Sequence, residues 1–131
     1  MLNPSTADAT LDDPTIRRCV GYARAWGYER LMVVNLYAYR ATKPADLWKA
    51  EDPVGPENDY VIEEAFGDST TVIAAWGANA RIDRLYEFAT RFSYKKFHAL
   101  ALTKDGAPRH PLYLRKDAEP FPYDLMAQRA A

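Results

Sequence analysis

Three side chains suited to ligand chemistry stand out because the chain around each of them is stiffened by proline or is apolar. Asn3 is followed by Pro4, and Asn35 ends the apolar run at residues 31–34. His110 lies in a Pro-Arg-His-Pro stretch. An amide carries both donors and an acceptor, so it can match the edge of a nucleobase or hold a water molecule. An imidazole held in place near neutral pH can act as an electrophile or a general acid.

Each of these candidates also has a purely structural interpretation. Asn3 together with Ser5 and Thr6 has the composition of a turn whose side chains satisfy their own backbone. A buried, unpaired amide at Asn35 would cost about 1–3 kcal/mol, so it must find a partner in the protein or in a ligand. A single loop histidine such as His110 is more often simply exposed. Composition alone leaves both interpretations open.

Positive charge is concentrated around the His110 loop. Lys104, Arg109 and Arg115 lie near it in the sequence and form a patch that can meet a phosphate group. A solvated loop explains the same charges equally well. The whole chain has a net charge of −1 and a pI of about 6.1, which argues against tight binding to a nucleic-acid duplex.

Carboxylates near the start of the chain are the only candidates for metal binding. Asp8, Asp12 and Asp13 carry the oxygen ligands that hard cations prefer, but Asp13 has a helix-capping role and no metal-loop pattern is matched. We therefore expect no metal and no cofactor. Cys19 falls on the apolar face of a predicted helix and is expected to lie in the core.

The overall composition is that of one water-soluble domain spanning residues 1–131. Its apolar runs are far shorter than the roughly 20 residues needed to cross a bilayer, so no membrane partner is expected. We see no secretory signal and a single cysteine, which together favour the cytoplasm. The high aromatic content is explained first by core packing.

Helices and strands are predicted to alternate along the chain. Asp13-Pro14 is a strong helix start, and Gly27 is a natural helix end. Later helical segments are expected at residues 45–49 and 57–66, in a third helix capped by Asn79, and weakly from Tyr123 onward. Apolar strands covered on both faces are expected at residues 31–34, 70–75 and 97–102. This order predicts an α/β domain with a parallel sheet.

Ligands of parallel sheets bind beyond the carboxyl ends of the strands, so the residues that follow each strand are the predicted site. The residues at these positions are polar or flank polar residues, while the strands are apolar. They are Asn3, Ser5, Thr6, Asn35, Tyr37, Trp76 and His110.

Several motifs, taken in order, resemble the domain-of-unknown-function 1643 family. They are MLNPSTAD at residues 1–8, DDPTIRRC at 12–19, VVNLYAYRA at 33–41, DPVGPEND at 52–59, AWG at 75–77, TKDG at 103–106 and HPLYL at 110–114. The resemblance covers nearly the whole chain and implies no particular activity.

A more distant resemblance is to the uracil-DNA glycosylase superfamily. Asn3-Pro4, the run ending in Asn35, Trp76-Gly77 and His110-Pro111 are similar to that superfamily's motifs and occur in the same order. The resemblance implies a three-layer α/β/α fold with a mostly parallel four-stranded sheet.

The same resemblance implies roles for particular residues. Asn3 would orient a water molecule toward the sugar, Asn35 would read the base edge, and Tyr37 would cover the base. His110 would stabilise the departing base. The implied partner is a nucleotide or nucleic acid, with hydrolysis of the N-glycosidic bond of a modified base. The alternatives are a non-catalytic nucleotide- or nucleic-acid-binding module, and a protein-interaction domain with a vestigial pocket.

The first strand of that fold is expected to be truncated. Only Met1 and Leu2 precede Asn3, and two residues are too few for a central strand. We expect the chain to be either a short-start product or a truncated piece.

Overall fold

Three α-helices, one 3-10 helix and a three-stranded sheet make up the described part of the chain in a computed structural model, which covers residues 1–4 and 13–126. The helices are α1 (Pro14–Ala25), the 3-10 helix (Pro44–Lys49), α2 (Asn58–Gly67) and α3 (Ile82–Arg91). The strands are β1 (Val72–Ile73), β2 (Phe97–Ala99) and β3 (Phe121–Tyr123). The mixed helix and strand content confirms the α/β prediction. None of the described helices is long and apolar enough to cross a membrane.

The sheet has the order β1-β2-β3 and is mixed in direction. β1 and β2 are parallel, and β3 is antiparallel to β2, with Tyr123 opposite Phe97. The prediction of a weak helix from Tyr123 is therefore wrong at its first residue, and residues 127–131 lie outside the described chain. Tyr123 is buried, and its hydroxyl donates to the Gly106 carbonyl at 2.9 Å. This tertiary contact outweighs the local preference of the tail.

The sequence predicted a strand covered on both faces at residues 31–34, and this prediction is wrong. No regular strand is assigned to this segment, and Leu31 is 41% exposed. Only its end is paired: the Met1 amine donates to the Val34 carbonyl at 2.7 Å, and the Leu36 N–H donates to the Met1 carbonyl at 2.9 Å. This is the hydrogen-bond pattern of a parallel pair. The described residues thus form three strands, and the expected four-stranded, mostly parallel sheet is not confirmed.

Both predicted ends of α1 are confirmed. The Asp13 carboxylate accepts from the Thr15 N–H at 2.8 Å, which caps the helix. At the other end Gly27 has a φ of 83°, a conformation that glycine adopts without steric cost. The Tyr28 N–H then donates to the Ala23 carbonyl at 2.8 Å, completing a Schellman motif.

The start of α3 differs from the prediction. Asn79 is exposed and does not cap the helix, which begins after Arg81. A tertiary bond fixes this start, because the Arg81 N–H donates to the Tyr37 hydroxyl at 3.1 Å. Ile82 and Tyr86 of this helix are exposed.

Aromatic side chains fill the centre of the core, as the composition suggested. Phe66 and Phe92 meet edge to face at 5.1 Å between centroids, and Phe88 packs against both. Trp76, which follows β1, meets Phe88 at 5.8 Å. These contacts hold α2 and α3 against the sheet, and such pairs contribute about 0.5–1.5 kcal/mol each beyond the area they bury.

Truncating Phe92 tests this core. Phe92 is fully buried, so Phe92→Ala is expected to lower the free energy of unfolding by about 3–5 kcal/mol through lost burial and the cavity left behind. Thr90→Ala, an exposed change in α3 two residues before Phe92, is expected to cost less than about 0.5 kcal/mol. Urea unfolding measures both. A Phe92→Ala cost as small as that of Thr90→Ala would contradict the packing described.

Candidate functional site

A cavity of about 400 Å³ forms a groove between residues 28–36 and residues 68–76, which we call the central groove. Helix α1 contributes Cys19 and Tyr22 to its lining, Trp26 lines it just after the end of α1, and α2 contributes Ile62 and Phe66. Among the predicted site residues, the groove brings together Asn35 and Trp76, with Met1 and Pro111 also in its lining. The groove therefore runs along the end of β1 and reaches the predicted exit at Asn35.

Asn35 has a polar atom without a partner. Its side-chain oxygen is buried and makes no hydrogen bond within the described part of the chain. A buried acceptor left unpaired costs on the order of 1–3 kcal/mol, so this atom is a natural point for a ligand donor. It is the strongest geometric sign of a binding site among the residues predicted from sequence.

The backbone around Asn35 is held rigidly by two helices. Asn58, at the start of α2, donates from its side chain to the Asn35 carbonyl at 2.8 Å and to the Leu36 carbonyl at 3.2 Å. Arg84, on α3, donates from Nε to the same Leu36 carbonyl at 2.9 Å. These bonds fix the position from which the Asn35 side chain projects.

The arginine of this arrangement is itself buried and paired. Arg84 is 3% exposed, and its guanidinium meets Asp59 at 2.7 Å and Glu87 at 2.6 Å. Sequence reasoning missed Asn58, Asp59 and Arg84. Asn58 and Asp59 stand in the motif at residues 52–59, but nothing in a single sequence links that motif to an arginine one helix later.

Tyr37 is directed into the core and is not in the groove lining. It is 2% exposed, and its ring meets Trp48 edge to face at 5.3 Å. The Arg81 guanidinium lies 4.0 Å over the Trp48 ring, and burial raises the pKa of the Tyr37 hydroxyl. The base-covering role expected for Tyr37 stays a prediction, and in this arrangement its ring supports the start of α3.

Asn3 uses its amide nitrogen for structure. It donates to the carbonyls of Pro4 at 3.1 Å, Tyr39 at 3.3 Å and Ala41 at 3.0 Å. These bonds tie the chain after residue 3 to the loop at residues 39–41, so the structural interpretation of this nitrogen holds. The predicted ligand residues Ser5 and Thr6 lie outside the described residues.

His110 is exposed and adjoins Pro111, which lines the groove. Its Nδ1 accepts from the Leu112 N–H at 3.2 Å, which leaves the proton of the neutral ring on Nε2. Partial burial of the imidazole ring is the main cause that lowers the pKa of His110, while the Asp13 carboxylate opposes the shift. His110 is thus favoured as a neutral hydrogen-bond donor at pH 7.

The predicted phosphate-binding residues remain at the surface. Lys104, Arg109 and Arg115 are exposed, and none lines the groove. Arg115 forms two hydrogen bonds of 2.9 Å with Asp117, and these bonds lower the pKa of that carboxyl. Within residues 1–4 and 13–126 no group of three or more metal-ligating side chains comes together, and Asp8 and Asp12 lie outside this range.

The Met1 amine is buried at the end of the groove. Burial lowers its pKa from 8.0 to about 5, which the nearby Cys19 thiol partly opposes. Burial also raises the pKa of Cys19, a half-buried residue on the groove side of α1. A charged amine is therefore disfavoured in this position.

Stability is expected to depend on pH through the Met1 amine. Below pH 5 the amine is protonated in both the folded and the unfolded protein, so the full cost of burying its charge lowers the free energy of unfolding. Between pH 5 and 8 the unfolded state holds more protons, so the free energy of unfolding rises with pH and levels off above 8. The rise is at most about 4 kcal/mol, at about 1.4 kcal/mol per pKa unit. His110 acts in the same direction, so His110→Gln isolates the Met1 contribution. The free energy of unfolding of that variant is measured with urea from pH 5 to 8. If it does not rise over this range, the burial of the Met1 amine is contradicted.

Removing Arg84 is expected to cost much more than removing an exposed cation. Arg84→Met leaves Asp59 partly buried without its partner and is expected to lower the free energy of unfolding by about 3–5 kcal/mol. The matched control is Lys49→Met, which removes an exposed pair with Asp46 and should cost less than about 1 kcal/mol. Thermal and urea unfolding measure both changes. Equal costs would show that the Arg84 contacts do not hold the two helices to Leu36.

Comparisons with known proteins identify a family and no activity. Residues 1–112 match the family described as "Protein of unknown function (DUF1643)". No curated protein and no solved structure matches the chain, so the distant resemblance to uracil-DNA glycosylases gains no support. The match spans well over half of the chain, and the protein therefore belongs to the DUF1643 family.

Proposed function

We propose that the protein recognises a nucleobase or nucleotide at the end of the central groove where Asn35 lies. The observation that carries this proposal is the buried, unpaired Oδ1 of Asn35 in the groove lining. An amide offers an acceptor beside a donor, which is the complement of the Watson–Crick or Hoogsteen edge of a base. A ligand donor placed on Oδ1 would remove the cost of leaving that atom unpaired.

Rigidity at Asn35 supports recognition. Arg84 and Asn58 hold the adjoining carbonyls, so little conformational freedom is lost when a ligand engages the side chain.

The proposal extends to the three-layer, four-stranded arrangement of the glycosylases, in which an apolar strand ends at the base-reading asparagine. In this chain, the pairing of Met1 with residues 34–36 is consistent with that arrangement.

Hydrolysis of the N-glycosidic bond is the catalytic form of this proposal. The Nε2–H of a neutral His110 would donate to the base as negative charge develops on it. Asn3 has its Nδ2 engaged with three carbonyls, so only its Oδ1 is left to orient water. That engagement, together with the buried Tyr37 ring, favours the second candidate, a module that binds the base without cleaving it.

Asn35 is tested by binding. Nucleobases, nucleosides, nucleotides and short single-stranded DNA are titrated by calorimetry into the protein and into Asn35→Leu, which keeps the shape and removes the amide. The variant is expected to bind at least about tenfold more weakly, because a base-edge contact by an amide contributes about 1–3 kcal/mol. Asn79→Leu, an exposed change outside the groove lining, is the control and should leave affinity unchanged. The proposal would be refuted if no member of the panel binds, or if Asn35→Leu binds with the same affinity as the unchanged protein.

Cleavage is tested separately with single-stranded DNA containing uracil, hypoxanthine or another modified base. Abasic sites that form with the protein and are lost with His110→Ala would establish the catalytic form. Binding that survives His110→Ala with no abasic product would establish the non-catalytic module instead.

A further inference from the structure

We propose that a second groove, along one face of α1, binds the phosphodiester backbone of a single-stranded nucleic acid. This cavity of about 660 Å³, which we call the α1 groove, has α1 from Pro14 to Ala25 as one wall and Leu112 and Lys116 as the other. The choice of a nucleic acid as ligand rests on the proposed function, but the residues and the part of the ligand concerned are different.

The α1 groove is long and open. The α1 residues that line it recur every three or four positions from Pro14 to Ala25, so they form one stripe along the helix. At about 1.5 Å per residue the stripe is about 16 Å long. A Cβ added to Gly21, in the middle of the stripe, would meet no side chain within 4 Å. An open channel of this length fits a chain of phosphates better than one small anion.

Positive charge dominates the lining of the α1 groove. Arg17, Arg18 and Lys116 line it, and no carboxylate of the described chain does. Because the whole chain has a net charge of −1, three cations around one groove are a local excess. The neighbouring Arg115 is paired with Asp117 and does not line the groove. A groove lined by cations is the feature by which proteins bind along the backbone of a single strand.

Two of these cations have hydrogen-bond donors available to a ligand. Arg18 is half-buried and fixed, because its Nη1 donates to the Leu114 carbonyl at 2.7 Å. Within the described chain its other N–H groups and the Lys116 amine make no hydrogen bond. The Tyr22 hydroxyl donates to the Arg115 carbonyl, so both walls of the groove are tied together. A guanidinium that is already fixed loses little conformational freedom when it binds a phosphate.

The α1 groove adjoins the central groove. Tyr22 lines both cavities, and Pro111 of the central groove is followed directly by Leu112 of the α1 groove. A strand whose phosphates lie along α1 can therefore present a base to the groove that contains Asn35. The residues predicted from the sequence to bind phosphate line neither cavity, and they are Lys104, Arg109 and Arg115.

The experiment uses a backbone without bases. A fluorescent oligonucleotide of abasic tetrahydrofuran units is titrated into the protein, Lys116→Gln and Lys96→Gln, and anisotropy is measured at several salt concentrations. Lys96 is exposed and lines neither cavity, so its variant removes the same charge elsewhere. We expect the slope of log affinity against log salt to become smaller by about 0.7 in Lys116→Gln alone, the value for one phosphate contact with a single strand.

A second variant fills the α1 groove without removing a charge. Gly21→Leu places a side chain in the open middle of the groove, and it should raise the Tm because glycine is unfavourable inside a helix. The matched control is Gly67→Leu at the end of α2, where an added Cβ also meets nothing within 4 Å. We expect Gly21→Leu to weaken binding of the abasic oligonucleotide at least as much as Lys116→Gln does, and Gly67→Leu to leave it unchanged.

Four results would overturn the inference. They are no binding of the abasic oligonucleotide, equal salt slopes for Lys116→Gln and Lys96→Gln, full affinity in Gly21→Leu, and equally tight binding of polyglutamate. The last result would show a site for any acidic chain. Asn35→Leu separates this inference from the proposed function, because it should bind the abasic oligonucleotide with unchanged affinity. A failure of nucleobase recognition would therefore leave all these measurements as expected.

Discussion

The peptide groups of Asn35 and Leu36 accept or donate the hydrogen bonds that position α2, α3 and the first residues of the chain. The Leu36 carbonyl accepts from Arg84 and Asn58, and its N–H donates to the Met1 carbonyl. Helices α2 and α3 and the start of the chain therefore meet at one residue. Because Arg84 is buried and paired with Asp59, losing any of these contacts leaves charged or polar groups without partners inside the protein.

This convergence explains why Asn35 is the candidate that gains most from the structure. Its backbone is fixed by polar contacts, while its side-chain oxygen is left unpaired at the edge of a cavity. Asn3, by contrast, uses its amide nitrogen to hold a loop, and Tyr37 is packed against Trp48. A polar side chain that is rigidly placed and yet unsatisfied is what a binding site requires, and among the predicted site residues Asn35 best meets this description.

The sequence predicted the local features of the fold well. The Asp13 cap, the Gly27 end and the position of α2 to within one residue follow from capping chemistry and hydrophobic spacing. It predicted the sheet less well, because strand formation depends on neighbours: residues 31–34 have strand composition but no partner along most of their length. The start of α3 and the strand at Phe121–Tyr123 are likewise set by contacts between distant residues. The role of Arg84 could not be predicted, since its partners lie 25 and 48 residues away in the sequence.

The most direct test of the account follows the Asn35 side chain itself by NMR during titration with nucleobases and nucleotides. The account predicts that the Asn35 side-chain NH₂ signals shift and saturate with a member of this panel, while those of Asn79 stay in place. It also predicts that the Asn58 side-chain signals move little, since Asn58 remains bonded to the Asn35 and Leu36 carbonyls. Asn35 signals that stay unchanged while a ligand binds elsewhere on the protein would contradict the account.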